Sequence, residues 1–177
     1  MEKINVFDDF LSPEELEKCR KILSTPNWEY GHTSTTQIAN NLSTPFWYME
    51  LVNYDFFTHQ IKNKIEKTLN KKYRINRVYA NGQTLGQDGI YHQDSINEND
   101  ITFCIYITTI PKECLPDVNG HILFQIPKME NFIVGVEPLM NRAVSFPSVY
   151  YHKGTTFCRY VQNMRICVAF KLQEILV

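Results

Sequence analysis

Up to residue 72 the chain repeats its apolar side chains at helical intervals in two segments, and after Tyr73 it repeats them at every second position. In the first segment Ser12-Pro13-Glu14-Glu15 is a helix start. Ser12 can cap, Pro13 suits the first helical position, and Glu15 completes a capping box. Leu16, Cys19 and Leu23, with Ile22 beside them, give one apolar stripe, and Pro26 stops the helix. Asn5 to Phe10, ahead of it, is a short apolar entry that ends a strand. From Asn53 a second helical pattern begins. Phe57, Ile61, Ile65 and Leu69 fall four apart, while Lys62, Lys64, Lys67, Lys71 and Lys72 line the rest. Residues 27 to 52, with Trp28, Tyr30, Phe46, Trp47 and Tyr48, resolve into no single element and read as core and sheet packing.

From Tyr73 the period is two: Tyr73, Ile75, Arg77 and Tyr79 share one face of a strand, Arg74, Asn76, Val78 and Ala80 the other. Asn81-Gly82 and Asp88-Gly89 are turn dipeptides, so residues 81 to 90 are expected to form a mobile loop. Ile101 to Thr109 reads as an apolar strand ended before Pro111, and four more short strands are expected at about 121–126, 131–137, 142–147 and 165–172. Short strands separated by turns indicate an all-β core that can close as a jelly roll. The expected fold is mainly β with flanking helices. One domain spans 1–177, with helical and aromatic support in 1–72 and the β core in 73–172.

Composition narrows the setting. A chain of 177 residues that is 44% hydrophobic and 21% charged can bury a core without disulfides or other staples. A net charge of −1 argues against general binding to a phosphate backbone. No apolar run approaches the roughly 20 residues that span a bilayer, and the first residues lack the apolar core of a signal peptide, so the expected location is cytoplasmic. The five cysteines, odd in number and without a C-x-x-C spacing, read as reduced thiols.

The candidate chemistry begins at His92-x-Asp94. Two residues apart in an extended backbone, the imidazole and the carboxylate point the same way and can grip one ion. They are half of a site, because two histidines and one carboxylate on one face make the ligand set of non-haem Fe(II) centres that activate oxygen. The second histidine must be His32, His59, His121 or His152. Neither His32 nor His59 has a ligand-spaced neighbour, and both read as surface or satisfied core residues. His152 follows the strand-like run Arg142-Ala-Val-Ser-Phe-Pro147 and precedes Arg165-Ile-Cys-Val-Ala-Phe by thirteen positions.

Five features in order carry a resemblance: His92-x-Asp94, Asn119-Gly120-His-Ile-Leu-Phe124, Asn141-Arg-Ala-Val-Ser-Phe-Pro147, His152 with Gly154, and Arg165. Over roughly residues 75–172 the chain resembles the Fe(II)/2-oxoglutarate-dependent oxygenases, most closely their prolyl hydroxylase-like branch. The resemblance implies a double-stranded β-helix, cupin-like in form, buttressed by the two N-terminal-half helices. It implies Fe(II) held by His92, Asp94 and His152, 2-oxoglutarate with dioxygen as co-substrate, and possible use of ascorbate. Arg165 would hold the far carboxylate of 2-oxoglutarate, a task suited to a bidentate cation of fixed charge, with Tyr79 or Tyr106 as a second donor. Arg159 competes for that role from a loop, and the gap between His152 and Arg165 is slightly long for the branch. Tyr91 and His121 are expected near the substrate.

The implied activity is hydroxylation of an unactivated C–H bond in a prolyl or other residue of a peptide, or in a free amino acid. The loops at 81–90, 110–119 and 126–132 would choose the substrate. Two alternatives stay open. One is a nucleic-acid dealkylating oxygenase, in which a second arginine usually stands where this chain has Lys171; the other is a non-catalytic cupin-like binding module.

Overall fold

The computed structural model describes residues 4–34, 44–126 and 131–175. In chain order these form β1 (Asn5–Phe7), α1 (Pro13–Leu23), β2 (Glu29–His32), β3 (Phe46–Glu50), a π-helical segment (Phe56–Ile61) that continues as α2 (Lys62–Leu69), and β4 (Tyr73–Gln83). There follow β5 (Asp100–Tyr106), the one-turn α3 (Leu115–Val118), β6 (Ile122–Gln125), β7 (Ile133–Val136), β8 (Ala143–Pro147), β9 (Tyr151–Gly154) and β10 (Arg165–Glu174).

Seven strands form one antiparallel sheet in the order β1-β8-β5-β10-β4-β3-β2, and three form a second in the order β7-β6-β9. Alternation along the central strands sorts the side chains to two sides. Val78, Ala80, Phe103, Ile105, Val168, Phe170 and Leu172 join Cys19 and Leu23 of α1 and Phe57, Ile61 and Ile65 from the second helical segment in the larger core. On the other side Tyr79, Cys104, Tyr106, Val144, Cys167 and Ala169 meet Ile122, Phe124 and Val136 of the small sheet. This is the double-stranded β-helix that the family resemblance implies, with both helices against one face of the large sheet.

Both helices form as the residues require. Ser12 accepts from Glu15 N while the Glu15 carboxylate accepts from Ser12 N at 2.8 Å, a complete capping box. α1 ends at Leu23, ahead of Pro26. α2 ends on Asn70 in the left-handed conformation, where an asparagine carries little strain. Glu66, buried at its end, ties helix to sheet: it accepts from Tyr73 N at 2.8 Å and pairs with Lys62 at 2.6 Å and Lys72 at 3.1 Å.

Three expectations change. Asn81-Gly82 is not a turn, because β4 runs on to Gln83 and pairs with β10 on one side and β3 on the other; cross-strand hydrogen bonds outweigh the local turn preference. Within the expected loop only the part after Gln83 is a connection. The aromatic stretch, which reads in the sequence as no single element, contains β2 and β3 among its described residues, with Tyr30 and Trp47 opposite each other and their rings 5.2 Å apart. His152 lies in a strand of its own, β9, which the pattern did not announce. The expected substrate loop at 126–132 lies partly outside the described residues.

Glu66 yields a first prediction. Glu66→Ala leaves Tyr73 N without its acceptor and two lysines without their anion, and should lower unfolding free energy by about 1.5–3 kcal/mol, the worth of hydrogen bonds to a charged group. Urea denaturation of variant and wild type at pH 7 measures the difference.

Candidate metal and cofactor site

His92, Asp94 and His152 come together, as their sequence pattern predicts. Each offers one ligand atom, and those atoms lie within 4.8 Å of one another. Backbone pairing sets the two histidines side by side: His92 N donates to His152 O at 3.1 Å, His152 N donates to His92 O at 3.0 Å, and the rings stand 4.5 Å apart. Asp94 N donates to Ser148 O at 2.9 Å, which fixes the carboxylate against the turn after β8. Asp94 Oδ1 lies 3.4 Å from His92 Nε2, and Oδ2 lies 3.3 Å from His152 Nε2.

The imidazoles are oriented for ligation. His92 Nδ1 contacts Ile90 O and His152 Nδ1 contacts Tyr150 O, both at 2.9 Å. A carbonyl can only accept, so each Nδ1 carries a proton and each Nε2 is directed at Asp94. Burial pushes the His152 pKa down from 6.5 to about 4, against the pull of Asp94, so its ring is neutral at pH 7. Burial alone would raise the Asp94 pKa, but Lys171, His152 and His92 outweigh it and hold the group well below the ordinary carboxylate value. Lys171 Nζ donates to Asp94 Oδ2, and Thr102 Oγ1 donates to the same oxygen at 2.5 Å.

The triad opens on a cavity of about 590 Å³ whose lining also includes His32, Arg77, Tyr79, Tyr106, Arg165 and Lys171. Arg165 is 3% exposed. Its Nε donates to Gly120 O at 2.6 Å and an NH group donates to Gln83 Oε1 at 2.8 Å, both neutral acceptors. Among the described residues it forms no ion pair, although a guanidinium so buried calls for an anion. Its guanidinium carbon lies 5.2 Å from the Tyr106 ring, whose hydroxyl is buried with no hydrogen-bond partner. Asn81, on the same wall, likewise has a buried side-chain oxygen without a partner. Gly154 keeps this corner open, since a Cβ there would stand 3.2 Å from Gln83 Oε1 and 3.3 Å from the Arg165 guanidinium. A buried cation held by neutral oxygens, beside an unpartnered hydroxyl, fits the far carboxylate of a 2-oxo dicarboxylate. The N,N,O ligand set fits a divalent iron.

Not every expected residue is here. Tyr79 and Tyr106 both line the cavity, but it is the Tyr106 ring that lies beside Arg165 and the Tyr106 hydroxyl that lacks a partner; the Tyr79 ring lies under the Arg77 guanidinium at 4.2 Å. His121 and Tyr91 do not line it. His121 borders two other depressions, and Tyr91 has its ring under Lys153 Nζ at 4.9 Å. Arg159 stacks beside exposed Tyr160, leaving the cavity to Arg165. His32, read from the sequence as surface or core, faces the cavity, its ring 5.6 Å from that of Tyr79. Lys171, Thr102, Gln83 and Asn81 were not singled out as site residues. The period of two from Arg165 through Cys167 and Ala169 to Lys171 was the signal for the first of them.

No family model and no curated protein sequence matches the chain. Solved structures do. A 2OG-Fe(II) oxygenase family oxidoreductase from Burkholderia pseudomallei superposes with a TM-score of 0.72 at 10% identity, over 96% of this chain and 84% of that one. A prolyl hydroxylase from Trichoplax adhaerens, in complex with a hypoxia inducible factor oxygen degradation domain peptide fragment, gives 0.68 at 15% identity over 97% and 83%. A Pseudomonas putida prolyl-4-hydroxylase gives 0.65 at 13% identity over 98% and 93%. At these identities the likeness establishes a shared fold.

The histidines generate a second prediction. His32, like His152, has its pKa pushed from 6.5 to about 4, chiefly by burial and further by Arg77, Lys171 and His92. Between those values the unfolded chain binds protons that the folded chain refuses, so stability rises with pH across the window and is lost on acidification from 6.5 toward 4. Urea midpoints at a series of pH values should fall on acidification, less steeply in His32→Gln.

Proposed function

We propose that the protein is an Fe(II)- and 2-oxoglutarate-dependent dioxygenase that hydroxylates an unactivated C–H bond in a prolyl or other amino-acid residue of a peptide, or in a free amino acid. The observation that carries this reading is that one cavity holds both the His92, Asp94 and His152 ligand set and a buried Arg165 with no anionic partner among the described residues.

When bound, iron and 2-oxoglutarate would supply the oxidising power, through reduction of dioxygen coupled to oxidative decarboxylation of the 2-oxo acid to succinate and carbon dioxide. The chain's own side chains bind and orient. His92 and His152 would present their Nε2 atoms to the cation, because their Nδ1 protons are committed to Ile90 O and Tyr150 O. Asp94 supplies the negative charge that the cation needs, its backbone fixed by Ser148. Arg165 receives the far carboxylate, with the Tyr106 hydroxyl as its second donor, and Gln83 and Gly120 hold the guanidinium in place. No general acid or base is required of the protein, whose contribution is geometry and exclusion of water. That the Trichoplax structure is a complex with a peptide supports a peptide substrate.

Purified protein given Fe(II) and 2-oxoglutarate without oxygen should bind both, and admission of air should release succinate slowly even without substrate. His92→Ala should abolish iron binding. Arg165→Ala should weaken 2-oxoglutarate binding at least about tenfold, the lower end of what a charge-assisted hydrogen bond contributes, and both variants should lose succinate release. A protein that binds iron yet neither binds 2-oxoglutarate nor forms succinate would be a metal-binding barrel, and the oxygenase reading would fail. Mass spectrometry of proline-containing peptides and of free amino acids after turnover then identifies the substrate.

A further inference from the structure

Asp94 is not shared by the two histidines alone. Its Oδ2 accepts from Lys171 Nζ and from Thr102 Oγ1 and faces His152 Nε2, whereas Oδ1 faces His92 Nε2. Lys171 stands on the same face of β10 as Arg165, opposite Thr102 on β5 and Arg77 on β4. Its ammonium is largely enclosed, 5.8 Å from the centre of the Tyr79 ring. Among the described residues its one ion pair is with Asp94.

Two consequences follow. The donors on Oδ2 leave Oδ1 as the oxygen better placed for a cation, which favours a carboxylate bound through one atom. A divalent cation held by that carboxylate is also a close neighbour of an ammonium that has nowhere else to go. The repulsion acts across a poorly solvated space, where charges interact more strongly than in water. An anion bound at the open side of the cation removes the penalty, because it is attracted to both charges.

We propose that Lys171 is a positioning residue that couples metal occupancy to the anionic co-substrate. It disfavours the bare cation and favours the cation together with a chelating dianion. The coupling is reciprocal: whatever factor the dianion adds to metal affinity, the metal adds to dianion affinity. The identity of the dianion as 2-oxoglutarate rests on the oxygenase reading, while the effect of Lys171 on the cation does not.

The test uses Mn(II), which reports binding without oxygen chemistry, titrated calorimetrically into the full chain with and without 2-oxoglutarate. In the wild type, 2-oxoglutarate should tighten Mn(II) at least about tenfold, within the usual range of coupling between two ligands. Lys171→Gln removes the charge but keeps a donor for Oδ2. With the repulsion of the ammonium gone, it should bind Mn(II) alone about tenfold more tightly than the wild type, with the gain from 2-oxoglutarate reduced by a similar factor. Lys171→Arg should retain the wild-type pattern. Lys171→Gln that binds Mn(II) equally or more weakly overturns the proposal and reduces Lys171 to holding Asp94 in place. Because losing the ammonium leaves a buried carboxylate less well paired, thermal denaturation with and without Mn(II) accompanies each titration; a larger Mn(II)-induced rise in Tm for Lys171→Gln than for wild type supports the proposal, and an equal or smaller rise counts against it. If wild type binds Mn(II) but no 2-oxoglutarate, the oxygenase reading fails, and the comparison of Mn(II) affinities still decides whether Lys171 opposes the cation.

Discussion

A carboxylate is tolerated inside a barrel only where donors and opposite charge surround it, and Asp94 is the point on which those requirements converge. Lys171 and Thr102 donate to its carboxylate, two imidazoles flank it, and the carbonyl of Ser148 accepts from its backbone N–H. They come from β5, β9, β10, the turn after β8 and the segment ahead of β5. Pairing across both sheets must therefore be complete before the charge is satisfied. The reverse also holds: the site is ordered because the sheets that carry it are bound to each other through Phe124, Phe146 and Tyr106.

β10 is the ruler for this arrangement. It lies between β4 and β5, and its period of two sends Val168, Phe170 and Leu172 to the helices and Arg165, Cys167, Ala169 and Lys171 to the cavity. At about 3.4 Å per residue, Arg165 and Lys171 are separated by roughly 20 Å of strand. One end of the strand thus presents a cation at the floor of the cavity, and the other presents a cation at Asp94. Cys167 and Ala169 between them are small, which leaves room in the middle of that face.

Much of this was legible because the signals are local. The capping box at Ser12, the four-residue spacing of Phe57, Ile61 and Ile65, and the alternation through Phe103 and Val168 each depend on near neighbours along the chain. His92 and Asp94 could be paired because two residues in extended backbone must share a face. What the sequence withheld depends on distant partners. Asn81-Gly82 has turn chemistry, yet strands on both sides keep it extended. His32 lies sixty positions before His92 and reaches the cavity only through the pairing of β2 with β3 and of β3 with β4. The choice between Tyr79 and Tyr106 could not be made from alternation, since both face inward; it turns on which ring stands beside Arg165 and which hydroxyl lacks a partner.

The cavity wall also shows where stability has been given up. An unpaired buried ion is costly by several kcal/mol, and a buried hydroxyl without a partner by about 1–3 kcal/mol. Arg165 and Tyr106 carry both penalties within one corner, while the structural acid Glu66 is fully surrounded by donors. A fold shaped for stability alone would close that corner with apolar side chains, as it does a few residues away around Phe124 and Phe146. Gly154 instead keeps it open. The buried guanidinium of Arg165 and the unpartnered hydroxyl of Tyr106 are together complementary to a carboxylate, and binding one there would return to the folded state part of the free energy that they cost when unpaired.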